Sequence, residues 1–392
     1  MTYLEQLLEG KEVEWRPLGE VFEIRTGYTP SKANKEEYWN NGTIPWFRME
    51  DLRAQGGVLT DSIQHITPQA VKGKRLFKAG SIILSTTATI GEHALLLVDA
   101  LTNQRFTNFN LRTEFADRVL SKFLYYYFFE IAAWCKNHVF IGTFPSVDMR
   151  NLRLQKFPLP PLAVQEQIVE ILDKFTALIE ALETELTLRT RQYAYYRNKL
   201  LRFGTTDPNV QWCRLGEVAE LKRGVRVVRK QLEKEGQYPV YQNCLTPLGY
   251  FDKANCKAET AFVIMGGSAG KVGFSKVDFW AADDCLYFIT PEYLLSRYLY
   301  YFLCKKETYL DSQVRRAAVP RLARSVLADL LIPLPPLAVQ EQIVAILDKF
   351  DTLVHSMSEG LPAEIALRRR QYEYYRNLLL RFPPPPSAPH SH

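Results

Sequence analysis

Long apolar runs are missing from this 392-residue chain, and so are the usual signatures of catalysis. No stretch of eighteen consecutive apolar residues occurs, which argues against a membrane-spanning helix. The N-terminus, MTYLEQLLEGKEVEW, carries acidic residues and no signal-peptide apolar core, so a cytoplasmic protein is expected. Cysteine is sparse. Cys135, Cys213, Cys244, Cys256, Cys285 and Cys304 form no CxxC pair and have no histidine at ligand spacing, the pattern of reduced thiols rather than of a metal site. Six histidines, two of them in the tail, make no cluster. HExxH is absent; the string GxSxG occurs once, at 266–270, but no serine or cysteine has a recognisable base in pattern. Neither charge sign dominates: the net charge of +6 permits a polyanionic partner without demanding one.

What the chain does have is itself, twice. Residues 158–175, PLPPLAVQEQIVEILDKF, return as 333–350 with Glu170 replaced by Ala345. A second block, RQYAYYRNKLLRF at 191–203, returns as RQYEYYRNLLLRF at 370–382. Weaker echoes extend the duplication: Leu18-Gly19-Glu20-Val21 recurs as Leu215-Gly216-Glu217-Val218, and 42–46 matches 236–240. An aromatic, helix-like stretch precedes each proline block, at 121–127 and 296–301. The order is variable domain, repeated segment, variable domain, repeated segment, with boundaries near residues 157, 204 and 332. One spacer used twice with two different inserts suits the reading of two different things.

The repeated segments read as helices. Pro160-Pro161 opens the first, and Val164, Ile168, Ile171, Phe175, Leu178 and Leu182 follow at coiled-coil spacing. The second copy runs through Val339, Ile343, Ile346, Phe350, Leu353 and Met357. Between matched blocks the first copy has fifteen residues (176–190) and the second nineteen (351–369), and Gly360 and Pro362 predict a break and restart there. Two such seams are expected to pack on each other. About forty helical residues span roughly 60 Å, enough to hold two domains over sites a duplex turn or more apart.

The variable domains read as mixed α/β, with short buried strands at 81–85 and 261–265 leading into small-residue turns. The second turn, Gly266-Gly267-Ser268-Ala269-Gly270-Lys271, is not a P-loop: Met265 stands where glycine is needed, and Val272 follows the lysine. It is either a plain tight turn or one whose backbone N–H groups approach a phosphate or base edge. Basic clusters are the next candidates: Arg48, Arg53, Lys72, Lys74, Arg75 and Arg105, then Lys222, Arg223, Arg226, Arg229, Lys230, Arg315, Arg316, Arg321 and Arg324. Gln104-Arg105 and Gln242-Asn243 combine types able to read adenine or guanine, while any one cation also reads as a solvated surface charge. Asp283-Asp284 reads as a solvated turn, a cytosine-reading acid or, less readily, a metal pair. The FxGxG and (D/N)PP(Y/F) motifs of adenine methyltransferases are absent, as are helicase motifs.

Over essentially its full length the chain resembles the specificity (S) subunits of Type I restriction–modification systems. The resemblance is carried by the two duplicated blocks, the LGEV openings, and Thr26-Gly27-Tyr28-Thr29-Pro30-Ser31-Lys32 with Tyr38-Trp39 and Ile44-Pro45-Trp46. It implies a mixed α/β fold with an internal pseudo-twofold repeat, in which two long antiparallel coiled-coil-like helices separate two globular target-recognition domains. The implied division is a first domain at 1–157, a central helix at 158–203, a second domain at 204–332, a distal helix at 333–382 and a disordered tail at 383–392. It also implies a bipartite double-stranded DNA target, two modification (M) subunits that methylate adenine with S-adenosylmethionine, and restriction (R) subunits that use ATP and Mg. This chain would itself hold no cofactor, metal or catalytic group. Candidate DNA contacts are Arg48, Thr86, Thr87, Gln104 and Arg105 in the first domain, and Arg223, Arg226, Gln242, Asn243, Ser268, Lys271, Arg315, Arg316 and Arg321 in the second. Candidate M-subunit contacts are Phe175, Tyr193, Tyr196, Phe350, Tyr372 and Tyr375. The competing reading is a coiled-coil adaptor that joins two protein partners without reading DNA.

Overall fold

Ile82, Ile83, Leu84 and Ser85 are all buried, so the strand Ile82–Ser85 is apolar without alternation: both of its faces are covered. A computed structural model describes residues 3–140 and 145–383, and from residue 384 on the expected disordered tail lies outside the described residues. In the first domain this strand sits in the middle of a five-stranded sheet. Phe106–Leu111 and then Phe22–Thr26 lie to one side, His93–Leu96 and then Val58–Leu59 to the other. The helix Ser121–Asn137 packs on the sheet through Phe123, Leu124 and Phe128. Edge-on contacts of Phe22 with Phe109, Phe128 and Phe157 fill the space between. A second, three-stranded sheet is ordered His65–Ile66, Ile44–Phe47, Leu101–Thr102.

The second domain repeats this plan. Its main sheet runs Glu220–Arg223, Cys285–Ile289, Thr260–Ile264, Val272–Ser275, and its small sheet runs Gly249–Phe251, Tyr238–Tyr241, Trp280–Ala281. The aromatic stretch at 296–301 opens the helix Ser296–Lys305, whose Tyr298 and Tyr301 are fully buried.

In each domain an entry strand pairs antiparallel with an exit strand: Glu14–Pro17 with Lys156–Leu159, and Gln211–Arg214 with Leu331–Leu334. The first residues of each proline block are therefore strand, and helix begins only at Leu162 and Leu337. The central helix, Leu162–Leu200, is unbroken. The distal one is two helices, Leu337–His355 and Gly360–Leu380. The break falls just before Gly360 and Pro362, with Ser356 extended and Gly360 at φ +80°. A Cβ at Gly360 would meet the Thr352 carbonyl oxygen at 2.5 Å, so the restart requires glycine.

The seam is phased differently from the sequence expectation. Leu172 and Leu347 are the buried residues, whereas Ile346 and Leu178 are largely exposed and Met357 is 76% exposed. Val164, Ile168 and Leu172 follow a strict four-residue spacing and join the core of the first domain, as Ile343 and Leu347 join that of the second. The early turns of each helix face a globular domain, which takes a four-spaced ridge rather than an alternating heptad seam.

By contacts the chain forms two units: residues 1–180 with those from 367 onward, and residues 181–366. Each unit thus joins the first helical block of one repeat to the second block of the other. In the second unit Tyr196 lies against Phe350 at 5.5 Å, and Tyr193 lies against His355 at 5.5 Å. Advancing along one helix means retreating along the other, so the two run antiparallel. Among the described residues no helix is long and apolar enough to cross a membrane.

A buried glutamine docks each helix on its domain. Gln165 accepts from Leu120 N at 2.9 Å and donates to the Arg118 and Pro160 carbonyls at 2.7 and 2.8 Å. Gln340 accepts from Leu295 N at 3.0 Å and donates to the Tyr293 and Pro335 carbonyls at 2.9 and 3.0 Å. Both are completely buried, and together they satisfy six backbone groups that would otherwise be unpaired.

Candidate nucleic-acid interface

Strand register equates the two domain tips. Ser85 pairs with Phe106 and Ile264 with Cys285, and both offsets (264 − 85 and 285 − 106) are 179. The turn after Ser85 then matches the turn after Ile264. Ala88 (φ +67°) falls on Gly267 (φ +82°), and Gly91 (φ +92°) falls on Gly270 (φ +86°). A third segment closes each tip with the same hydrogen bonds. Ala88 N donates to Pro145 O at 3.1 Å and Val147 N to Thr86 O at 3.0 Å. Gly267 N donates to Pro320 O at 3.1 Å and Leu322 N to Met265 O at 2.9 Å. The parallel pairs Phe47 with Thr102 and Tyr241 with Ala281 add further equivalences. Arg48 matches Gln242, and Gln104-Arg105 matches Asp283-Asp284. The backbone is the same at both tips and the side chains differ.

At the first tip, the Thr29 hydroxyl donates to Gln104 Oε1 at 2.7 Å, which orients that amide. Arg105 has its N–H on Asn103 Oδ1 at 3.1 Å and its carbonyl on Thr86 N at 3.1 Å, so its backbone is fixed. Its guanidinium is exposed and has no partner among the described residues. Arg48 lies over the Trp46 ring at 5.7 Å, 3.6 Å from Glu50, and its buried Nε has no hydrogen-bond partner. The backbone N–H of Arg48 donates to Asp51 Oδ2 at 2.6 Å. Arg48, Arg53, Gln104 and Arg105 line one cleft of about 320 Å³, with Trp46 and Asn103 in its wall. Thr86, also expected here, is buried, and its hydroxyl lies 2.9 Å from that of Thr107 within the sheet. Thr87 is half-buried and pairs with Ser146.

At the second tip, Asp283 and Asp284 gather the expected residues. Gln242 Nε2 donates to Asp283 Oδ1 at 3.3 Å, and Arg223 Nε donates to the Asp283 carbonyl at 2.8 Å. Arg321 Nη1 donates to Asp284 Oδ1 at 3.0 Å. The two carboxylates hold side chains here, which disfavours the metal-pair reading. Ser268 N donates to the Asn243 carbonyl at 2.9 Å, and both residues are exposed. Arg226 and Arg315 are exposed and their guanidinium groups have no partner among the described residues. Lys271 and Arg316 turn elsewhere, to Glu307 at 3.6 Å and Asp311 at 2.8 Å on the neighbouring short helix. The equivalence of 145–147 with 320–322 escaped sequence reading, because little beyond the shared Pro145 and Pro320 signals it.

The aromatic residues expected to meet a partner mostly face inward. Tyr193 is buried, Phe175, Tyr196, Phe350 and Tyr372 are half-buried, and Tyr375 remains partly open. Their helical neighbours point out instead: Tyr195 is 60% and Tyr374 64% exposed. Leu162 and Leu337, again repeat-equivalent, are exposed as well. The RQYxYYRN block thus presents its second tyrosine outward in both copies, a detail recoverable from helical phase once the core face is known.

Comparison with known proteins follows the same duplication. The family model of the Type I restriction modification DNA specificity domain matches residues 10–188 and again 209–367. Over 376 residues, 92% of each chain, the sequence is 39% identical to the Type I restriction enzyme EcoprrI specificity subunit of Escherichia coli. It is 30% identical over 431 aligned residues, 98% of each chain, to the EcoR124I/EcoR124II specificity subunit of Escherichia coli. Among solved structures, the S subunit of a Type I restriction–modification system from M. genitalium aligns with a TM-score of 0.57 at 17% identity, covering 98% of this chain and all of that one. A chain from a study of complex assembly and conformational transition of the type I R-M system aligns with a TM-score of 0.64 at 19% identity, covering 95% and 98%.

Proposed function

The chain belongs to the Type I restriction–modification DNA specificity family, and we propose that each of its units reads one half of a bipartite double-stranded DNA target. The observation that carries this reading is the pair of tips with matching backbone hydrogen bonds and different side chains. A common scaffold sets the approach to the duplex, and the exchanged residues set which bases are accepted. Arg48, Arg105, Arg226 and Arg315 supply phosphate contacts and salt-dependent affinity. Gln104, Gln242, Asn243 and Arg321 face base edges.

The same reading gives the helices to two M subunits. Tyr195 and Leu337, like their repeat equivalents Tyr374 and Leu162, are exposed in both copies. A partner that recognises these side chains in one copy recognises them in the other, which favours two copies of that partner. S-adenosylmethionine belongs to those M subunits, which methylate an adenine taken out of the stack in each half-site. ATP and Mg belong to R subunits. We assign this chain no catalytic step. Three of its thiols are unsuited to one: burial pushes Cys135, Cys256 and Cys304 up to about 12.

Selection of random duplexes by the assembled complex tests the proposal. Recovered sequences with two specified blocks around an unspecified spacer, bound less tightly as salt rises, support it. Assembly with partners but no sequence enrichment at any salt leaves the adaptor reading.

A further inference from the structure

The second tip holds one arginine unlike the others. Arg321 is paired on both sides of its backbone. It exchanges both peptide hydrogen bonds with Arg315 (Arg315 N to Arg321 O at 2.8 Å, Arg321 N to Arg315 O at 3.1 Å), and on the other side it pairs with Gly266. The flanking bonds, Gly267 N to Pro320 O and Leu322 N to Met265 O, leave this backbone little freedom. The side chain rises from that platform 57% exposed, while its partner Asp284 is only 18% exposed. Asp284 packs over Gly266, where a Cβ would come within 2.7 Å of its Oδ1. One nitrogen of the fork is thus engaged by a carboxylate, and on this exposed side chain its remaining donors have no partner among the described residues.

A carboxylate on a surface that meets phosphates costs affinity unless it has a task. Holding a guanidinium in one orientation is such a task. A planar fork fixed from behind presents two parallel donors, the geometry that matches O6 and N7 of guanine in the major groove. A phosphate contact needs no such support, since a mobile charge serves as well. Where the first domain has its counterpart of this pair, it has Arg105 in place of Asp284 and Ser146 in place of Arg321, and Arg105 makes no ion pair among the described residues. Among the differences between the two tips, this position therefore carries opposite charges, Arg105 in one and Asp284 in the other.

We infer that Arg321 reads a guanine in the half-site of the second domain, with Asp284 as the residue that positions it. The inference rests on the reading of this tip as a DNA-contacting surface and adds the base and the pair that selects it. The test maps methylated motifs on DNA modified by the complex of this chain with its M subunit, for the unaltered chain, Arg321→Gln, Arg321→Lys and Asp284→Asn. The expected result is that preference for one guanine in the second half-site falls roughly ten-fold or more in both Arg321 variants. Asp284→Asn should relax the same position, and the first half-site should stay unchanged in all three. The inference is overturned if Arg321→Gln lowers methylation evenly with no position relaxed, if Arg321→Lys retains full selectivity, or if the second half-site contains no guanine on either strand. A complex whose unaltered chain yields no split motif instead contradicts the broader reading of the chain.

Discussion

Phe175 stacks on Tyr375 with ring centroids 5.5 Å apart and planes inclined by 25°, and Phe350 stands in the same relation to Tyr196, 5.5 Å apart and inclined by 20°. The offsets from one pair to the other are 175 residues for the phenylalanine and 179 for the tyrosine, so each repeat supplies one ring to each pair. Neither repeat completes a stack alone. Each repeat thus supplies to the other the ring it lacks.

The second of these stacks should be measurable as a coupling. In a double-mutant cycle of Phe350→Ala and Tyr196→Ala, followed by denaturant unfolding, the interaction energy should be ~0.5–1.5 kcal/mol beyond the separate losses. Additive losses would mean that the rings merely share a surface.

The docking glutamines make a sharper case. Gln340→Leu preserves volume but leaves Leu295 N and the Tyr293 and Pro335 carbonyls without their partner. A loss of at least ~2 kcal/mol is expected, since each buried group left unsatisfied costs about 1–3 kcal/mol. Hydrogen exchange at the Leu295 amide should accelerate at the same time, and Gln165→Leu should do likewise at Leu120.

The two domains anchor their helices with unequal ion pairs. Arg297 donates to Asp348 at 2.7 Å and to Asp351 at 2.9 Å and lies against the rings of Phe274, Tyr300 and Tyr301, itself 12% exposed. Its counterpart Lys122 pairs with Asp173 from an exposed position. Arg297→Ala should cost about 3–5 kcal/mol, as expected when a buried pair loses one partner. Lys122→Ala should cost no more than ~1 kcal/mol. Burial resists the charging of Asp351, but hydrogen bonds from His355 and the Arg297 charge outweigh it and hold the carboxyl below its ordinary value of 3.8. The stability Asp351 contributes is therefore complete above that value and lost as pH falls below it.

A second pH effect sits at His93. Burial holds its imidazole near 4, against an ordinary 6.5, while its Nε2 lies 3.1 Å from the Tyr125 carbonyl. The unfolded chain binds the extra proton first, so this contribution is whole above pH 6.5 and fades as pH falls toward 4. Its size is on the order of 3 kcal/mol. Unfolding of His93→Phe between pH 4 and 7 should show a flatter profile than that of the unaltered chain.

Much of this was legible beforehand, and the failures are instructive. The duplicated blocks announced two related halves, and the apolar runs at 81–85 and 261–265 announced buried central strands. Heptad reasoning chose Ile171 and Ile346 over Leu172 and Leu347, because it supposed a helix as the only neighbour when a whole domain lies against that face. Gln165 and Gln340 sit among polar residues that read as solvent-facing, and only the unpaired backbone opposite them gives them a reason to be inside. Several residues that the sequence singles out lie at the tips, but the equivalence of the two tips depends on hydrogen bonds that no pattern of side chains encodes.

The central claim is that the two units read two separate halves of one target. Single-molecule methylation sequencing of DNA exposed to this chain with its M subunit tests that claim most directly. The expected result is a split motif with one methylated adenine in each half and an unspecified spacer between. A fully assembled complex that methylates one continuous motif, or nothing, would contradict it.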